Sequence, residues 1–455
     1  MLPEHDSEEL EYLDKQYVWH PFTQMMDWID EEPLIVASGE GSYLIDVHGH
    51  RYLDGVSSLW VNVHGHRRAE IDQAVIEQLG RIAHSTFLGL SNVPAIKLAK
   101  KLVDITPSKL AKVFYSDNGS TGVEIALKIA FQYWQQCQEP QSSKNRFISF
   151  VNGYHGDTVG SVSVGGISLF HELYKPLLFE TIKVRAPYCY RCHLDKKYPG
   201  CEMICLGEVE EVMERHHQEV AAIIVEPLIQ GAAGMLVFPK GYTQKVKDLA
   251  AKYNILFIAD EVATGFGRTG ELFACQHEWI DPDFMVLAKG ITGGYLPLAV
   301  TISTQKVFDA FLGEYKGKKT FFHGHTYTAN PLACAAALAN LEVFQKEDTL
   351  GKLQSKIGQL KEGLKIFSDL KHVGDVRQLG FMVGIELVSD PETKAPYPYE
   401  AKTGIKVVQE ARRHGLVIRP LGDVIILMPP LSISSKEMEK LLEITFHSIK
   451  KVTEG

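Results

Sequence analysis

The sequence predicts an α/β protein: a mostly parallel sheet in a large domain, with a smaller α+β domain beside it. Three observations predict it. The short continuous apolar runs "AAIIVEP" (221–227) and "ILFIADE" (255–261) read as strands covered on both faces. Between them, "GYTQKVKDLAAKYN" carries Tyr242, Val246, Leu249, Ala250 and Tyr253 at helical spacing. Strand, helix and strand in that order form a crossover unit, which implies a parallel sheet. "FMVLAKG" and "RFISFVNG" (146–153) supply further strands of it.

The two ends of the chain read differently. Residues 1–65 mix short strands such as "GSYLIDV" with polar turns, and are expected to join the small domain and the entrance of the site. Residues 66–330 are expected to form the large domain. From 331 a helix is followed by strands near "MVGIELV" and "VIILMPP" and by a last helix from Lys436, the expected small α+β domain (331–455). No internal repeat, low-complexity tract or long linker separates these parts.

At 455 residues the chain is long enough for a large core. A formal charge of −9 argues against a nucleic-acid footprint. Lys112, and the short group Lys316, Lys318 and Lys319, read as solvated faces. No apolar run approaches the roughly 18–20 residues that cross a bilayer. The opening "MLPEHDSEELEYLDKQ" is acidic and carries no hydrophobic segment, so a cytoplasmic protein is expected. Seven cysteines without a secretory mark read as free thiols. Cys189, Cys192, Cys201 and Cys205 are spaced C-x2-C-x8-C-x3-C, which could hold zinc or simply pack in an irregular insertion. The second pair lacks the C-x2-C of a zinc ribbon, and no metal is expected.

Ligands of a parallel sheet bind beyond the carboxyl ends of its strands. Here those ends carry Glu226, Asp260, Glu261 and Lys289, with Tyr154, His155 and Asp157 just past 151. Lys289 ends an apolar run where the chain breaks into glycines. Alone it could be a solvent-facing strand end or a held reactive amine, so its neighbours decide.

"VFYSDNGSTGVEIALKIAFQYW" is a strand, a glycine-containing turn and a helix. Val123, Ala126, Leu127, Ala130, Phe131 and Trp134 form its apolar stripe, and Thr121 with Glu124 has capping-box spacing. The free N–H groups of Gly119, Ser120 and Thr121 suit a phosphate, or only an ordinary helix start. No Gly-Lys-Ser/Thr follows, so this is not a P-loop. "GFGRTG" (265–270) matches G-x-G-x-x-G but neither directly follows a strand nor opens a helix, so no dinucleotide site is expected.

A phosphate cradle, a buried carboxylate, a rim aromatic and a strand-end lysine together suit pyridoxal 5'-phosphate. Its aldehyde links to a lysine amine, and its ring nitrogen needs an acidic partner. Lys289 and Asp260 fill those places. Tyr154 could stack on the ring, and Val262 could pack on its other face.

At this point "NGSTGVEIALKIA", "NGYHGDTVG", "EPLIQGAAGM", "IADEVATGFGRTG", "LAKGITGGYLPLA" and "HGHTYTANPLACAAALA" come together. Over nearly its whole length the sequence resembles the class III (ω-) aminotransferases of fold type I. The resemblance implies that Lys289 carries the cofactor and that Asp260 pairs with its ring nitrogen. It implies that Gly119 and Ser120 bind the phosphate and that Tyr154 stacks on the ring and contacts substrate. Thr326, with Gly324 and His325 beside it, would reach the phosphate of a neighbouring subunit, which implies a homodimer. Arg419 would recognise a keto acid's carboxylate. Apart from the resemblance, Glu226, at another strand end, is expected to position water or a hydroxyl near the ring.

"WHPFTQM", "SSLWVNVHGH" and "VIRPLGDVIILMPP" resemble a biotin-pathway branch of that class. This implies 8-amino-7-oxononanoate as amino acceptor, with S-adenosylmethionine or lysine as donor. Phe22, Leu59 and Ile426 stand where a related branch has tyrosine, tryptophan and tyrosine lining its substrate pocket, while Trp60 is kept. The alternative is another ω-aminotransferase, acting on diamines or 4-aminobutyrate-like substrates; a nicotinamide oxidoreductase is a distant one.

Overall fold

A seven-stranded sheet organises the chain in the computed structural model, which describes residues 7–455; the first six residues of the acidic N-terminal stretch lie outside them. Its spatial order is Leu110–Ser116, Ala299–Thr304, Phe284–Leu287, Leu256–Asp260, Val220–Val225, Arg146–Phe150 and Ile182–Val184. Ala299–Thr304 runs antiparallel to both its neighbours, and the other pairings are parallel. The sheet is therefore mostly parallel with one reversed strand. Val220–Val225, Leu256–Asp260, Phe284–Leu287 and Ala299–Thr304 are buried at every position. That double coverage is why the first three read as apolar runs, whereas Ala299–Thr304 (AVTIST) buries Thr301, Ser303 and Thr304 as well.

The helix Gly119–Gln136 covers one face with Val123, Ala126, Leu127, Ala130 and Trp134, and the Trp134 indole N–H donates to Ala221 O at 2.8 Å. Two expectations for this helix need correction. Phe131 is exposed, off the buried stripe. The capping box is formed by Asn118 and Thr121, not by Thr121 and Glu124. Asn118 Oδ1 takes the Thr121 N–H at 3.1 Å, and Glu124 instead accepts from the Gly160 N–H at 2.9 Å. The crossover helix Tyr242–Lys252 buries Tyr242, Val246 and Ala250.

A second sheet, antiparallel, is ordered Val373–Leu379, Met382–Leu387, Val424–Leu427 and Arg419–Leu421. A third joins the two ends of the chain: Val36–Glu40, Tyr43–Asp46 and Arg51–Asp54 are completed by Leu416–Val417. The helices Thr403–Arg413 and Ser435–Glu454 pack beside these sheets.

The helix Pro331–Lys346 is buried along most of its length. Its Asn340, fully buried, donates to Gly290 O and Ile291 O at 3.0 Å each, and so holds the turn that follows Lys289. Among the described residues no helix is long and apolar enough to cross a membrane. All seven cysteines are free, and among the described residues no group of His, Cys, Asp or Glu side chains, the cysteine stretch included, is placed to hold a metal ion.

Candidate active site

The carboxyl ends of the central strands open into a cleft of about 460 Å³. Gly119, Ser120, Tyr154, Glu226, Asp260, Val262, Lys289 and Trp60 all line it. Asp260 ends the strand Leu256–Asp260, and Lys289 follows directly on Phe284–Leu287 and Ala288. Adjacent parallel strands thus deliver the carboxylate and the amine side by side.

Lys289 leaves its strand with φ 47°, the left-handed region that a lysine occupies only under constraint. Its Nζ lies 4.6 Å from the centroid of the Trp60 ring. Burial pulls the amine down from 10.5 to about 8, against the opposing charges of Asp260 and Glu226. An ammonium held this way gives up its proton near neutrality, as a nucleophilic lysine must.

Asp260 is buried. Its Oδ2 accepts from His155 Nδ1 at 2.6 Å, and its Oδ1 accepts the Val262 N–H at 3.1 Å. A carboxylate only accepts, so His155 is the donor at Nδ1. Glu226 receives the N–H groups of Tyr154 at 2.9 Å and Gly231 at 3.0 Å. Burial raises its carboxyl from 4.5 to about 7. The Tyr154 hydroxyl donates to Asp157 Oδ2 at 2.7 Å, and burial, with Asp157 beside it, pushes that hydroxyl up.

The helix start is shaped for close approach. A Cβ at Gly119 would come within 2.7 Å of Val262 Cγ1, and one at Gly156 (φ 121°) would overlap Ser120 Oγ. Thr121 N–H is taken by Asn118, whereas Gly119 and Ser120 line the cleft in the first turn, where N–H groups have no intrahelical acceptor. Trp60, nearly fully buried, has an indole N–H without a protein partner.

The outer residues fall into two groups. Arg419 is half-buried, has no ion-pair partner among the described residues, and lies 5.9 Å over the Phe22 ring. Phe22 meets Phe170 edge-on at 5.3 Å, and Phe170 meets Tyr154 at 6.4 Å. Phe170 was not anticipated: it sits on the single turn Ser168–His171, where no periodic signal marks it. Leu59 is exposed beside Trp60. Ile426 is fully buried and is not among the residues that line the cleft; it is paired with Arg419 across an antiparallel ladder, so it stands beside the arginine on the same face of the sheet.

Gly324 and Thr326 are exposed and lie outside this chain's own cleft, and so does the half-buried His325. His325 Nδ1 approaches Asp117 Oδ1 at 3.9 Å, and Asp117 lines the cleft.

An amine and a carboxylate on neighbouring strand ends, with a glycine-started helix across from them, fit a phosphorylated pyridine aldehyde. The missing Cβ atoms at Gly119 and Gly156 let Val262 and Ser120 pack against them, which holds the helix start close to the strand ends. Fold and cleft together define a pyridoxal-phosphate-dependent transaminase. The chain belongs to the class III aminotransferases: the family model "Aminotransferase class-III" matches residues 25–449.

Its relatives narrow the comparison. It is 54% identical over 455 residues to the adenosylmethionine-8-amino-7-oxononanoate aminotransferase of Geobacter sulfurreducens, covering all of both chains. It is 56% identical over 445 residues to the protein of that name from Nitratidesulfovibrio vulgaris, covering 98% of this chain and 82% of the relative. The solved structure of the Methanocaldococcus jannaschii protein of that name superposes with a TM-score of 0.93 at 48% identity, over 98% of this chain and 99% of that one. An omega transaminase from Pseudomonas jessenii in complex with PMP superposes at 0.92 with 32% identity, over 98% of each chain.

Proposed function

We propose that this aminotransferase converts 8-amino-7-oxononanoate to 7,8-diaminononanoate, the biotin-pathway step, with S-adenosylmethionine or lysine as amino donor. The observation that carries the reading is the shared cleft of Lys289, Asp260, Gly119 and Ser120. The names borne by the full-length relatives support the substrate.

When bound, pyridoxal phosphate supplies an aldehyde that exchanges amino groups and a ring that accepts the electron pair freed at the donor carbon. Lys289 Nζ holds the aldehyde end. The same amine, when free, would move a proton at the donor carbon, a role worth roughly a hundred- to ten-thousand-fold in such reactions. Asp260 keeps a proton on the ring nitrogen, and His155 Nδ1–H holds the carboxylate in place. Gly119 and Ser120 N–H groups take the phosphate at the helix start. Tyr154 and Val262, which both line the cleft, would hold the ring between them. Glu226, anchored by two backbone N–H groups, positions a water or hydroxyl beside the ring.

Arg419 is the partner for the keto acid's carboxylate, an anion that its forked guanidinium suits. Phe22, Leu59 and Trp60 bound the substrate's path, with Ile426 beside Arg419 on the same face of its sheet. The exposed Gly324 and Thr326, with the half-buried His325 between them, serve the phosphate site of a second copy, so the working unit is a homodimer.

The test is a pair of half-reactions. Enzyme aminated by S-adenosylmethionine, or separately by lysine, is freed of donor and mixed with 8-amino-7-oxononanoate, and the product mass is read. One equivalent of diamine per cofactor supports the reading. No diamine, with ready amination by diamines or 4-aminobutyrate, would favour another ω-aminotransferase that shares every cofactor residue.

A further inference from the structure

The arginine of the "GFGRTG" segment is among the most deeply buried large side chains of the described residues. Arg268 is 1% exposed. Its Nη1 donates to Ser57 Oγ at 3.2 Å and to Pro429 O at 3.0 Å, and its Nη2 donates to Asn62 O at 2.9 Å. Two of those acceptors bracket the segment 57–62. That segment is strained: Ser57, Ser58 and Trp60 have φ of 51°, 63° and 66°, none of them glycine. Such backbone persists only where its surroundings over-determine it.

The surroundings do so from both sides. Ser57 Oγ donates to Met428 O at 2.7 Å, while Asp54 takes the Ser58 N–H at 2.7 Å and the Ser58 hydroxyl at 2.9 Å. His66 contacts the same carboxylate at 2.9 Å. The product of this bracing is the Trp60 ring, set 4.6 Å from Lys289 Nζ. The charge of Arg268 also bears on that amine. The charged groups facing Lys289 are Asp260, Glu226, Asp157 and Arg268, and among them only Arg268 disfavours its protonation.

We propose that Arg268 is a positioning residue for the transamination: its guanidinium clamps the strained turn 57–62 so that Trp60 walls the Lys289 amine. The inference rests on the reading of Lys289 as the reactive amine. Arg268→Lys retains the charge but cannot reach three acceptors with one forked group.

The test uses cofactor-loaded enzyme and two readouts. Hydrogen exchange follows the amides of Trp60, Val61 and Asn62, which bond to Val56 O, Ser57 O and Ser57 O. Single-turnover amine transfer is scaled to bound cofactor, so that a loss of folded protein does not count. In Arg268→Lys the three amides should exchange at least ~10-fold faster, and transfer per bound cofactor should fall roughly 10-fold. Wild-type exchange, or a wild-type rate per cofactor, would overturn the clamp. If Arg268→Lys does not fold, Ser57→Ala carries the test, with the same two changes expected in smaller measure and the same two results against it. Borohydride labelling of wild-type Lys289 is scored separately. Its failure removes the reading beneath, whereas labelling with an unaltered turn removes only the clamp.

Discussion

His155 Nδ1 lies 2.6 Å from Asp260 Oδ2, and both side chains are buried beneath the cleft. The pair defines the acidic pole of the site. Breaking it from the aspartate side, Asp260→Asn leaves nothing to keep a proton on the ring nitrogen. Bleaching of the cofactor band by any donor should slow at least ~100-fold with the cofactor still bound, because preorganised charge of this kind is worth about 3–4 kcal/mol. Stopped-flow absorbance checks it.

Breaking it from the histidine side is milder. His155→Ala removes one charge-assisted hydrogen bond, worth about 1.5–3 kcal/mol. The donor half-reaction should slow roughly ten- to hundred-fold on that account, less than for Asp260→Asn.

The Lys289 amine near 8 sets a pH dependence. The neutral amine captures the aldehyde, so capture of pyridoxal phosphate by cofactor-free protein should quicken about tenfold per pH unit up to about 8, then level. The same shift acts on stability. Because the folded value lies below the unfolded one, the unfolded chain holds more protons between about 8 and 10.5, and this lysine's contribution to stability rises with pH across that window. Glu226 has the opposite sign. Its folded value is raised to about 7, so its contribution falls as pH rises from about 4.5 to 7, and urea midpoints of Glu226→Gln should lose that slope.

Among the described residues Arg419 has no anion to hold. Arg419→Ala should raise the KM for the keto acid roughly ten- to hundred-fold, the worth of a charged hydrogen-bonded pair. The half-reaction with a donor lacking a carboxylate should be nearly unaltered. Separate half-reaction kinetics read both.

Thr326 lies outside its own cleft, which makes a complementation test decisive for the dimer. Co-folded Lys289→Ala and Thr326→Ala chains should regain one intact site per mixed dimer, with activity above either parent. A mixture no better than its parents would place Thr326 in its own chain's site.

The sheet strands were legible because Val220–Val225, Leu256–Asp260 and Phe284–Leu287 are covered on both faces, which an apolar run reports directly. Strand direction leaves no such trace, so the reversal of Ala299–Thr304 was not foreseen. The helix cap was misread because N-x-x-T and T-x-x-E both satisfy the spacing across residues 118–124. Tertiary contact with Gly160 decides between them. Lys289, Asp260 and Gly119 were legible as residue types at strand and helix ends. Phe170 and the Arg268 clamp were not, since one lies on a four-residue turn and the other acts across more than 200 residues of chain. Ile426 stands where a related branch has a pocket tyrosine, and its full burial beside Arg419 is set by tertiary packing that the motif does not mark.

Borohydride reduction of the yellow, cofactor-loaded protein, followed by peptide mapping, tests the central assignment most directly. The phosphopyridoxyl mass should fall on Lys289 alone, at about one per chain. Stable labelling on any other lysine, or none on a protein that still carries the cofactor, would contradict it.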